Sequence, residues 1–341
     1  MTTRDVTNLS DISKIPTNAQ GAFTRPASSF RNFVQAGGRF PPEKDRYHLY
    51  VSYACPWASR TLILRKLKGL EDVIPFTVVS PQMGTEGWPF ASADPFPGAD
   101  VDPLYQSQHV KDLYLRADPN YSGRFTVPVL WDKKQHTIVN NESSEILRIL
   151  NSEFNAIVPE DKAKVDFYPA ELRKEIDEVN EWVYDRINSA SAYISGYIFR
   201  VELNLTNLTT RADGVYKSGF AKTPEAYRDA VQQLFEALDR VEVLLKDKTY
   251  LIGDRLTEAD IRLFVTIVSS GSPRTSGYRI TDLFLNSTQI RFDPVYVGHF
   301  KCNIRTIRDG YSNIHRQVLF YICHYSHFSC SLVIITFQLA A

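Results

Sequence analysis

The chain has no surplus of charge. Its 341 residues hold 39 Lys and Arg against 39 Asp and Glu, so nothing in the overall electrostatics points to nucleic acid. Cysteine is scarce as well. The four present, Cys55, Cys302, Cys323 and Cys330, have neither zinc-ligand spacing nor the density of a disulfide framework, which fits a reducing compartment and predicts no structural metal. Met1 to Lys14 contain no apolar core of the length a secretory leader needs, and the cytoplasm is the expected location. With no such leader, the glycosylation-like triplets Asn204-Leu205-Thr206 and Asn207-Leu208-Thr209 read as chance. The rest is ordinary: 43% hydrophobic and 23% charged residues describe a soluble globular chain long enough for two domains.

Hydrophobic periodicity divides the chain. In the first half, strand-like and helix-like segments alternate: strands over Tyr47–Tyr53, Ile74–Ser80, Val127–Asp132 and Thr137–Asn140, helices over Arg60–Leu70, Gln108–Arg116 and Ser143–Phe154. That order predicts a small mixed sheet with helices on its faces. A loop from Pro81 to Leu104, rich in Pro, Gly and Asp, is long enough to be read as functional. The second half has only helical periodicity, over Pro169–Asn188, Thr223–Leu245 and Glu258–Val268. Thr257-Glu258-Ala259-Asp260 reads as a capping box with Asp in place of Glu, and Leu256 and Ile261 are spaced as a hydrophobic staple.

Chemistry concentrates at three junctions. Tyr53-Ala54-Cys55-Pro56-Trp57-Ala58 ends a strand and opens a helix, so Cys55 lies where unpaired first-turn N–H groups and the helix dipole stabilise an anion and favour the thiolate. Pro56 suits the first turn, where its missing N–H costs nothing. Thr126-Val127-Pro128-Val129 places a proline at a strand entrance, where a cis bond leaves backbone groups open to an extended peptide. Asn141-Glu142-Ser143 precedes a helix, so the hydroxyl, the carboxylate and the first-turn amides together suit a ligand with both a carboxylate and an ammonium.

In this order the three junctions resemble a glutathione transferase. The strings SYACPWASR (52–60), EGWPF (86–90), YSGRFTVPVLWD (121–132), NNESSEI (140–146), NEWVYDRIN (180–188), GVYKSGFA (214–221) and RFDPVYVGHFKCNIR (291–305) resemble the glutathionyl-hydroquinone reductases, the Xi class of that superfamily. The resemblance spans roughly residues 20–316. It implies an α+β architecture: an N-terminal extension (1–40), a thioredoxin-like glutathione-binding domain (41–156), an all-helical C-terminal domain (165–316) and an atypical tail (317–341). It also implies roles: Cys55 as nucleophile, Trp88 and Arg124 as glutathione contacts, Val127 as backbone partner, Glu142 and Ser143 as γ-glutamyl ligands, and Tyr216 as a hydroxyl facing the hydroquinone. Glutathione is the implied co-substrate, without metal. Glutathionylated hydroquinones are the implied partners, and a homodimer the implied assembly. The residues agree in one respect: no second cysteine follows Cys55 at three positions, so a mixed disulfide there must be discharged by an outside thiol. An Omega-like thioltransferase or dehydroascorbate reductase shares that lone cysteine, and a non-catalytic glutathione-binding protein is the third reading.

The chain departs from the family at three places. Ser189–Ala212 and Val268–Gln289 interrupt segments that the family runs together, and from Val318 to Ala341 there is no Lys, Arg, Asp or Glu. Two histidines and a serine at its middle, His324, Ser326 and His327, argue against that tail as a membrane anchor. Both insertions are in frame: the Val268 and Gln289 codons admit the GT and AG of an intron, and the first insertion can begin inside the Ser189 codon and end at the first base of Asp213. We read them as translated introns and the tail as read-through. Transcript sequencing is expected to find mature messages without both insertions; messages that all retain them contradict the reading.

Overall fold

The computed structural model describes residues 27–84, 86–188, 224–267, 310–318 and 320. Tyr216, both insertions and nearly all of the tail lie outside the described residues.

The first half forms a four-stranded sheet of order β2-β1-β3-β4, from β1 (Tyr47–Val51), β2 (Phe76–Val78), β3 (Val129–Asp132) and β4 (Thr137–Asn140). β1 runs parallel to β2 and antiparallel to β3, and β3 is antiparallel to β4. β1 and β3 are central and buried at every position, which explains their nearly continuous apolar sequence. The register sets Tyr50 opposite Val129, so the chain leaves β1 beside the point where it enters β3. β3 starts at Val129 rather than Val127 because Pro128 has no N–H to give the ladder.

Three helices pack around the sheet: α1 (Pro56–Leu67), α2 (Val110–Ala117) and α3 (Ser143–Ser152). α1 begins ahead of the expected Arg60, because Cys55 already serves as N-cap and Pro56 is tolerated in the first turn. It ends at Gly69, whose φ of 63° puts it in the left-handed region that glycine adopts without strain. A short helix α4 (Glu160–Ala163) leads to α5 (Arg173–Arg186), α6 (Pro224–Leu244) and α7 (Glu258–Ile267). These enclose a second core with Ile176, Val183, Leu234, Leu238, Val241, Leu263 and Ile314.

α7 belongs to both cores. Ile261 and Leu256, the expected staple, lie in the first core, while Ala259, Leu263 and Ile267 lie in the second. Asp260 supplies the carboxylate half of the capping box, accepting from the Thr257 N–H at 2.9 Å; the Thr257 hydroxyl also donates to it, at 2.8 Å. Beside it Glu258, 3% exposed, pairs with Arg148 of α3 at 3.2 Å and Arg262 at 2.5 Å, and accepts from Asn180 of α5 at 3.2 Å. One buried carboxylate therefore joins α3, α5 and α7.

His48 on β1 is buried against Thr77 of β2, with Nε2 and Oγ1 2.7 Å apart. Burial, assisted by the nearby Lys133, holds its pKa down at about 4. The native state thus keeps this imidazole neutral, whereas the unfolded chain takes up a proton near 6.5. The stabilisation is complete above that value and is lost as pH falls towards 4. Denaturant unfolding is expected to show a loss on the order of 3 kcal/mol from this group across that window, and His48→Gln to flatten the slope there. An unchanged slope contradicts the assignment.

Candidate active site

Cys55 sits at the N-cap of α1 in extended conformation, φ −97° and ψ 112°, because the chain must turn sharply between β1 and the helix. Its N–H donates to the Ser52 carbonyl and its own carbonyl accepts from the Ser59 N–H, each at 3.0 Å, fixing the turn from both ends. The thiol is 3% exposed and donates to the Val127 carbonyl at 3.6 Å. The Val127–Pro128 peptide is cis. Two of the residues expected at the site are thereby in direct contact, brought there by the β1–β3 register.

Glu142 and Ser143 occupy the junction between β4 and α3. Glu142 is the N-cap residue: its Oε1 accepts from the Ser144 N–H at 3.2 Å and the Ser144 hydroxyl at 3.0 Å. Ser143 opens the helix, 3% exposed, and its Oγ has no hydrogen-bond partner among the described residues. A buried hydroxyl without a partner, at the positive end of a helix dipole, is suited to an incoming carboxylate.

A hydrogen-bonded link ties this junction to the Val127 segment. The Asn141 side-chain amide donates to the Tyr114 hydroxyl at 2.9 Å, which donates to the Thr126 carbonyl at 2.9 Å. Burial pushes the Tyr114 phenol up to about 12, so it stays a donor throughout the neutral range. Tyr114 did not stand out in the sequence, and Thr126 drew notice only as the residue ahead of Val127-Pro128. Tyr114 falls on the apolar face of α2, where its ring gave no hint that its hydroxyl joins two loops.

Trp88 is also buried, at 5% exposure, on the long loop 81–104. Its carbonyl accepts from the Val110 N–H at 2.9 Å, at the start of α2. Gly87 before it has φ 83°, and a Cβ there would come within 2.9 Å of the Phe125 Cβ, so the loop lies directly on the 121–128 segment. The base of the loop is pinned by Asp102, fully buried, which accepts from the Tyr50 hydroxyl at 2.9 Å and the N–H groups of Leu104 and Ser107 at 3.1 and 3.2 Å. Arg124 lies on the same 121–128 segment, half-buried, and its carbonyl accepts from the Tyr121 hydroxyl at 3.0 Å. Tyr216 lies outside the described residues.

Beyond Cys55 the second core begins. Arg60 stacks over Trp57 at 4.2 Å and donates to Asn188 at 2.8 Å; the Asn188 amide donates to the Arg262 carbonyl at 2.9 Å and the Thr266 hydroxyl at 2.7 Å. Trp57 meets the Tyr184 ring edge-on at 5.6 Å. Among the described residues there is no group of three His, Cys, Asp or Glu arranged to hold a metal ion, and no helix long and apolar enough to cross a membrane.

The chain matches two family models: the N-terminal domain of glutathione S-transferase over residues 54–153 and the C-terminal domain over residues 224–270. Its relatives include the glutathione S-transferase omega-like 2 of Schizosaccharomyces pombe, 49% identical across 87% of this chain and 80% of that one. The glutathionyl-hydroquinone reductase YqjG of Escherichia coli is 48% identical across 86% of this chain and 76% of its own length. Among solved structures, the glutathione-S-transferase Xi from Phanerochaete chrysosporium superposes with a TM-score of 0.79 at 55% identity, covering 97% of this chain and 90% of that one. The glutathione-bound structure of YqjG superposes with a TM-score of 0.68 at 42% identity, over 92% and 84% of the two chains.

Proposed function

The chain belongs to the Xi-class glutathione transferases, the glutathionyl-hydroquinone reductases, and on that premise we propose that it removes glutathione from glutathionyl-hydroquinones through a mixed disulfide at Cys55. The observation that carries this reading is the thiol's place, at a helix N-cap and facing the Val127 carbonyl at 3.6 Å, with no other cysteine among the described residues to resolve a disulfide.

The steps balance without any other oxidant or reductant. The Cys55 thiolate, favoured by the first-turn N–H groups and dipole of α1, attacks the sulfur of the conjugate. A sulfur–sulfur bond forms to glutathione, the carbon–sulfur bond breaks, and its electron pair stays on the ring carbon, which takes a proton to give the hydroquinone. A second glutathione thiolate then attacks the glutathione sulfur of the mixed disulfide, releasing oxidised glutathione and the Cys55 thiolate. Overall, one conjugate and one glutathione yield one hydroquinone and one oxidised glutathione.

The remaining roles follow the chemistry of each group. Ser143 Oγ, at the positive end of the α3 dipole, takes the γ-glutamyl carboxylate, and Glu142 the ammonium. The Val127 backbone pairs with the cysteinyl residue, Trp88 packs on the tripeptide, and Arg124 takes a carboxylate through its planar fork. Tyr216 takes the role the resemblance implies, donor or electrostatic partner of the ring. We propose a homodimer as assembly on the same family grounds.

Steady-state kinetics with a glutathionyl-hydroquinone test the reading. Cys55→Ser is expected to lower kcat/KM by about a thousandfold or more while leaving glutathione affinity within a few-fold. Ser143→Ala is expected to raise KM for glutathione roughly tenfold. Turnover that survives Cys55→Ser overturns the mechanism, and a dehydroascorbate turnover well above that with the conjugate moves the assignment to an Omega-like enzyme.

A further inference from the structure

The segment ahead of β1 does more than lead into the fold. Residues 28–34 run along the free edge of β4 and over the start of α3, tied down at almost every position. The Phe30 N–H donates to the Asn141 side-chain oxygen at 3.2 Å, and the Asn141 N–H donates to the Phe30 carbonyl at 3.0 Å. The Asn32 N–H donates to the Val139 carbonyl, and the Asn140 amide to the Asn32 carbonyl, each at 3.0 Å. Arg31 pairs with Glu145 on the first turn of α3, Nε to Oε2 at 2.7 Å. The Phe30 ring lies 5.8 Å from Tyr114 and 5.7 Å from Tyr121. At the head of this segment, the Ser28 hydroxyl donates to Glu142 Oε2 at 3.0 Å.

That last bond has no work to do for the helix. The amide end of α3 is already capped by Glu142 Oε1, which accepts from Ser144. The effect of Ser28 is on the carboxylate itself: with one oxygen held from α3 and the other from the incoming segment, its plane is set before any ligand arrives. Fixing a glutamate side chain costs rotamer entropy, and a site that has already given up this freedom binds correspondingly tighter. Arg31, held close by the Glu145 ion pair, also lies within electrostatic reach of Glu142 and sets the field at this corner.

We propose that Ser28 is a positioning residue of the glutathione site, orienting the Glu142 carboxylate towards the γ-glutamyl ammonium, and that segment 28–34 is a wall of that site. The inference rests on the proposed placing of the γ-glutamyl group at Glu142 and Ser143. It predicts a selective effect: Ser28 matters only to ligands that carry the ammonium.

Calorimetric titration of the full chain separates the possibilities, with two probes: glutathione, and glutaryl-cysteinyl-glycine, which has hydrogen in place of the ammonium. Ser28→Ala is expected to weaken glutathione binding roughly tenfold, to leave the affinity for the analogue unchanged, and to hold the melting temperature within about 2 °C. Ser28→Thr, which keeps the hydroxyl, restores glutathione affinity. Equal weakening of both ligands by Ser28→Ala overturns the inference, because it marks a structural role. Unchanged glutathione binding in Ser28→Ala, with binding weakened in Ser143→Ala, overturns the inference alone. Binding unchanged in both variants overturns it together with the placing of the γ-glutamyl group.

Discussion

The register between β1 and β3 is the constraint on which the rest of the site depends. With Tyr50 opposite Val129, the turn that carries Cys55 and the turn that carries Val127 leave the sheet side by side. The thiol then meets the Val127 carbonyl with no long-range adjustment. β4 pairs on the other side of β3 and feeds α3, so Glu142 and Ser143 emerge from the same end of the sheet. A slip of one residue in the β1–β3 pairing turns every side chain of β1 to the other face and takes Cys55 away from its partner. Both strands are buried at every position, and a slip also parts their buried polar residues from their partners, His48 from Thr77 and Asp132 from Arg46, which makes it costly.

The second constraint is the joint between the two cores. α7 places apolar residues in both, and two buried polar clusters close the gap: Glu258 with Arg148, Arg262 and Asn180, and Arg60 with Asn188 and Thr266. Breaking a buried pair by removing one partner strands a charge, and the loss is typically about 3–5 kcal/mol. These clusters fix the helical half relative to the turn that carries Cys55. Both segments that the sequence reading takes as insertions begin just past this joint, after Asn188 and after Ile267. The contacts that hold the halves together are thus made by residues on the family side of each departure.

Much of the fold was legible in the sequence, because alternation and helical periodicity report directly on which face is buried. The four strands and the main helices of the described residues lie where the pattern puts them; two of the chemical junctions are where strand gives way to helix, and the third is the entrance to β3. What escaped was polar and long-range. Nothing local distinguishes the Tyr114 hydroxyl, which joins Thr126 to Asn141, from that of any other core tyrosine. The Ser28–Glu142 bond spans most of the first domain in sequence and depends on a segment without periodicity. The pin made by Asp102 is equally invisible, since one of several acidic residues in a Pro- and Gly-rich loop reads as solvated. The roles of Trp88, Arg124 and Tyr216 came from the family resemblance alone, since residue type and spacing did not single them out.

The central claim is that Cys55 takes glutathione from an aromatic carbon and holds it as a disulfide. Mass spectrometry of the intact chain after mixing with a glutathionyl-hydroquinone, with no free glutathione present, tests this most directly. The account predicts one glutathione bound at Cys55 and one free hydroquinone released per active chain, with the adduct cleared when glutathione is added. Hydroquinone released without the adduct, or an adduct on a cysteine other than Cys55, contradicts it.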